Sequence, residues 1–113
     1  MDNLIQEVFR LNDELTASIK KLAENGRKFA EAERDYKITL RTEALKLRQE
    51  KGMPVTLISQ IIYGVPEVAE LRFKRDIAET IYNTNLEHLN VTKLKIRVLE
   101  SQISREWGAK GDV

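Results

Sequence analysis

Gly52-Met53-Pro54-Val55-Thr56-Leu57-Ile58-Ser59-Gln60-Ile61-Ile62-Tyr63-Gly64-Val65-Pro66 carries no charge and lies between two segments dense in Glu, Lys and Arg. Both flanking segments read as helix, so this run decides how they meet. Gly52 stands where a glycine in left-handed geometry ends a helix, and Pro54 cannot continue one. Thr56 is placed to cap a two-turn helix over about 56–63, whose Leu57, Ile58, Ile61 and Ile62 leave little polar face. Ile58, Ile61 and Ile62 are therefore expected inside. Gly64 ends that helix, and Pro66 suits the first turn of the next, where Glu67 and Glu70 complement the positive end of the dipole.

Upstream, Val8, Leu15, Leu22, Phe29 and Tyr36 recur every seven residues, with Leu4, Leu11 and Ala32 at the partner positions of the same seam. Asp2 is a plausible N-cap, and Glu24/Lys28 and Glu33/Lys37 are i,i+4 pairs in the favourable order. The spacing predicts one helix over about 3–50, about 70 Å long. Downstream, Leu71, Ile77, Ile81, Leu86, Leu89, Leu94, Ile96, Leu99 and Ile103 predict a second over about 66–107. Residues 108–113 are left as a short polar tail expected to be flexible.

The fold class is accordingly all-α: two long antiparallel helices, a coiled-coil-like hairpin, joined by a short apolar helix, with 1–107 as one domain. If the helices share one rise about the turn, facing residues have numbers summing to about 116. Leu22 then meets Leu94, Phe29 meets Leu86, Tyr36 and Leu40 meet Ile81 and Ile77, and Phe9 lies near Trp107. Ser18, Asn25 and Gly26 interrupt the first stripe, opposite a stretch holding Asn83, Asn85 and Asn90. A polar layer is expected there, fixing register because any slipped alignment buries an unpaired amide. Two helices leave Ile19, Ala23, Ala30 and Ile38 on one flank and Val91 and Val98 on another, so completion by homo-oligomerisation, as a dimer or higher ring, is expected.

With 19 basic against 18 acidic residues, no global field steers the chain to nucleic acid or an anionic membrane. Cysteine is absent, which excludes disulfides, thiolate chemistry and Cys-based zinc sites. No segment has the apolar length of a bilayer span, about 20 residues, so a soluble, cytosolic protein is expected.

No catalytic residue and no cofactor emerge. His88, the single histidine, has no second His, Cys or helical-spaced carboxylate to share a metal with, and Glu31, Glu33 and Asp35 lack the Glu-x-x-His signature of a di-metal bundle. Phosphate-binding glycine loops and nucleophile relays are missing too, so the chain is not expected to be an enzyme. Thr56 to Lys74 imitates a helix-turn-helix, but Glu67 and Glu70 would face phosphates at the end that enters the groove. Arg41, Arg48, Arg72 and Arg75 gather near the turn and form the candidate nucleic-acid set. Lys93, Lys95 and Arg97 form a second basic group, an anionic-ligand candidate that would need a symmetry mate, because alternate helical positions diverge.

The runs Ala32-Glu-Arg-Asp-Tyr-Lys, Gly52-Met-Pro-Val-Thr-Leu-Ile, Tyr63-Gly-Val-Pro-Glu-Val-Ala, Arg72-Phe-Lys-Arg-Asp-Ile-Ala-Glu and Gln102-Ile-Ser-Arg-Glu-Trp107 resemble a group of small phage and prophage proteins of Gram-positive bacteria. The resemblance spans most of the chain and implies a phage early or accessory product; it carries no residue roles with it. The expected function is non-enzymatic binding of a host or phage protein, in replication, recombination or anti-defence. Met53, Val55, Leu57, Tyr63 and Val65 are the expected contact surface. The alternatives are nucleic-acid binding by a dimer and oligomeric sequestration of a small anionic nucleotide.

Overall fold

The computed structural model describes residues 2–111, with side chains described from Asn3 to Gly108. Apart from the short links 52–54 and 65, the described residues are helical: α1 over Asp2–Lys51, α2 over Val55–Ile61, a single 3-10 turn at Ile62–Gly64, and α3 over Pro66–Gly111. Gly52 adopts φ 62°, the left-handed conformation that ends α1. The cap of α2 differs from expectation. Pro54, not Thr56, precedes its first turn, and the Pro54 carbonyl accepts from the Leu57 and Ile58 amides at 3.0 Å each. A proline with extended backbone ends α1 and starts α2 without needing a side-chain cap. Asp2 is the first helical residue of α1 and not its cap, and the cap position itself falls outside the described residues. At the other end α3 continues to Gly111, so 108–111 extend the helix that was expected to stop near Trp107, and 112–113 lie outside the described residues.

The chain divides into two compact units. The turn unit, Asn25–Tyr82, holds the end of α1, all of α2 and the start of α3. Its core is Tyr36, Ile58, Ile62 and Val68, with Leu40, Ala44, Leu47, Met53, Val65 and Leu71 packed around them. Fully burying an aliphatic side chain is worth roughly 1.5–3 kcal/mol, so this cluster is what anchors α2. Glu33 faces Arg75 and Gly26 faces Tyr82, with numbers summing to 108, while Phe29 faces Tyr82 and Tyr36 faces Arg75, summing to 111. The helices are antiparallel, but the expected sum of 116 is corrected. The last turns of α1 pack on α2 and the 3-10 turn, which takes up α1 positions that would otherwise have faced α3.

The terminal unit comprises the residues up to Glu24 and from Asn83 onward. Its α1 and α3 segments also run antiparallel, with Ser18 on Asn85 and Glu14 on His88, summing to 103 and 102. Its buried residues are Leu11, Ser18, Leu89, Thr92 and Ile96. In this register no α1 residue stands opposite Trp107. Phe9 and Trp107 are both exposed, and the expected meeting of the two does not occur.

On α3 the seam follows two heptad series, Val68-Arg75-Tyr82-Leu89-Ile96 and Leu71-Ala78-Asn85-Thr92-Leu99, all buried or half-buried. Ile77, Ile81 and Leu94 were expected on this seam; they are exposed instead. The α1 seam matches expectation from Leu4 to Tyr36.

Candidate functional site

α2 has seven residues and buries only Ile58, so most of its side chains remain at the surface. Val55, Leu57, Ile61 and Tyr63 are 67%, 42%, 39% and 46% exposed. Ile58 and Ile62 are buried as expected; Ile61 is not, because a helix this short presents one side to the α1–α3 core and turns the rest outward. Of the five expected contact residues, Val55, Leu57 and Tyr63 lie at the surface, while Met53 and Val65 are half-buried against the core cluster. The structure thus leaves Val55, Leu57 and Tyr63 exposed at the turn, half-buries Met53 and Val65, and adds Ile61 to the exposed apolar residues.

The turn is held by local polar contacts. The Met53 amide donates to the Leu47 carbonyl at 3.2 Å, and Arg48 donates through Nη1 to the Met53 carbonyl at 3.0 Å. Ser59 Oγ donates to the Thr56 carbonyl at 2.8 Å within α2. The Arg72 guanidinium lies 4.9 Å from the centre of the Tyr63 ring, a cation–π contact that orients the ring.

These contacts bear on the four arginines of the nucleic-acid set. Arg75 is half-buried over the Tyr36 ring at 4.7 Å, with Nε 2.9 Å from Asp76 and Nη1 3.6 Å from Glu33. Burial alone would lower its pKa, but the Asp76 hydrogen bond and the Asp76 and Glu33 charges outweigh this and raise it above the ordinary arginine value. Arg48 and Arg72 hold the turn as described. Arg41 is exposed in a shallow surface groove with Lys37, Ile38, Thr42 and Leu45. Three of the four therefore have work within the fold, and that work was not visible in sequence because it depends on which ring or carbonyl comes within reach.

Lys93, Lys95 and Arg97 are all exposed on α3 at alternate positions, so they project in different directions. Lys95 borders a groove with Glu7 and Arg10 of α1. Sequence reasoning missed the partner of His88: Glu14, on the other helix, places Oε1 3.1 Å from His88 Nε2. The expected polar layer is present at Ser18 and Asn85, whose Nδ2 donates to Ser18 Oγ at 3.0 Å and to the Ser18 carbonyl at 3.3 Å, while Asn83 and Asn90 are exposed.

No group of His, Cys, Asp and Glu that could hold a metal ion occurs among the described residues, and no described helix is long and apolar enough to cross a membrane. No family model matches the chain, and comparison with curated proteins and with solved structures likewise finds no match.

Proposed function

We propose that this chain is a non-enzymatic interaction protein that binds a host or phage protein through the apolar patch at its turn and acts as a homo-oligomer. The observation that carries the reading is the exposure of Val55, Leu57, Ile61 and Tyr63 beside a well-packed cluster that needs none of them for closure. Exposed apolar side chains along the short α2 helix and the 3-10 turn, with Arg48 and Arg72 beside them, have the make-up of a protein-contact region: apolar surface with a polar edge. The phage setting rests on the resemblance of the sequence runs, and the host cytoplasm follows from it.

The test is affinity capture from nuclease-treated host lysate with the natural chain beside Val55→Ser/Leu57→Ser. A protein held in stoichiometric amount by the natural chain and lost by the variant, with unchanged helicity by circular dichroism, supports the patch. Equal retention by both sinks it.

A further inference from the structure

The terminal unit carries a second apolar strip, on the side of α3 turned away from its own seam. Leu89, Thr92 and Ile96 are buried, whereas Val91, Leu94 and Val98 are 44%, 57% and 56% exposed. These residues keep a register of their own. Glu87, Leu94 and Ser101 stand seven residues apart, as do Val91, Val98 and Arg105, and the two series alternate at the three- and four-residue steps of a helix-pairing stripe. The strip borders an open groove of about 550 Å³, to which Leu11 and Leu99 add apolar wall and Glu7, Arg10 and Lys95 a charged rim.

We propose that a second copy of this chain covers the strip, with the two α3 helices antiparallel about a two-fold axis. Setting Leu94 against Val98 of the second copy sets Val98 against Leu94 of the second copy by symmetry. Seven residues back from Leu94 is Glu87, and seven on from Val98 is Arg105, so equal helical rise places Glu87 opposite Arg105 of the second copy at both ends. The strip is therefore complementary to its own image, apolar at the centre and oppositely charged at the two ends. Lys95 and Arg97 flank the axis, where the symmetry brings like charges of the two copies near one another, and Glu7, beside Lys95 on the groove rim, offsets the charge at Lys95. This inference rests on the self-association part of the proposed function and names its surface.

Light scattering after size exclusion, on the natural chain and on Leu94→Glu/Val98→Glu, tests it. The natural chain should be a dimer or a multiple of one, and the variant should dissociate with a weakening of about 100-fold or more, its helicity unchanged because both positions face solvent in the single chain. A natural chain that is monomeric at its highest soluble concentration overturns self-association and this interface together. A variant that associates as the natural chain does overturns this interface alone. Register is tested separately: Glu87→Arg should weaken association by about 10-fold and Arg105→Glu added to it should restore it. Failure of the pair to restore association overturns the antiparallel register.

Discussion

The turn unit and the terminal unit are built from the same two long helices, yet they close by different means. In the turn unit Tyr36, Ile58, Ile62 and Val68 come from four consecutive elements and meet in one apolar cluster. In the terminal unit only two helices take part, and Ser18 and Thr92 sit among the buried residues with Leu11, Leu89 and Ile96. The difference is geometric before it is chemical. A third element lets a residue be enclosed from three sides, so apolar burial alone can specify the turn; two helices enclose only a seam, so register must be set by hydrogen bonds such as Asn85 to Ser18. The turn unit is expected to hold stability, and the terminal unit specificity.

That contrast breaks first if the apolar cluster is not what holds the turn. Ile62→Ala removes a buried side chain that α1 cannot readily collapse onto and should cost about 2–5 kcal/mol in chemical denaturation. A loss below about 1 kcal/mol would mean that the cluster is loosely packed and the comparison misdrawn. Next in size is Gly52→Ala. Nothing lies within 4 Å of the added methyl, so the whole cost is the φ of 62°. A left-handed residue with a side chain costs about 1–2 kcal/mol, and a neutral result would show that α1 can end elsewhere.

Much of this was legible in the sequence, and the limits were specific. The uncharged run announced the turn, Gly52 and Pro66 marked helix ends correctly, and the α1 heptads from Leu4 to Tyr36 gave the right seam, because one stripe on that stretch is plainly the more apolar. On α3 two stripes compete. Ile77, Ile81 and Leu94 are as apolar as Val68, Tyr82 and Leu89, and hydrophobicity alone cannot say which set faces α1. Anchoring on Leu89, Ile96 and Leu99 and stepping back by sevens would have reached Val68, Ala78, Tyr82 and Thr92. The register failed for another reason: it assumed that α2 occupies no space between the long helices. At the patch, the exposure of Ile61 was illegible because composition does not reveal which third of a seven-residue helix faces inward.

The polar layer offers a sharper probe of the terminal unit. Asn85→Ala leaves the buried Ser18 hydroxyl and carbonyl without their cross-helix donor and should cost about 1 kcal/mol, since the serine can fall back on its own helix. Replacing both partners, Ser18→Ala with Asn85→Leu, should recover that loss or exceed it, while making association states heterogeneous in sedimentation because slipped registers no longer bury an unpaired amide. A double variant that stays homogeneous would show that register is set elsewhere, and the division of labour between the units would lose its main support.

The smallest expected effect is electrostatic and again belongs to the terminal unit. Glu7 accepts from Arg10 Nε at 3.0 Å and pairs with its Nη2; that hydrogen bond, foremost, holds the Glu7 carboxyl below its ordinary value, opposed by desolvation and helped by the Arg10 and Lys95 charges. A depressed carboxylate contributes stability that is present above its unfolded pKa and lost as the pH falls through the folded one. Acidification from neutral should therefore first loosen the Glu7–Arg10 contact only below the ordinary glutamate range, and Glu7→Gln should abolish that step while leaving neutral-pH stability nearly unchanged, because both side chains are open to solvent. Carboxyl-detected NMR titration of Glu7 reads this directly. A midpoint at or above the ordinary glutamate value would remove the pairing with Arg10 in solution, and with it the charged rim that Glu7 gives to the groove beside Val91 and Leu94.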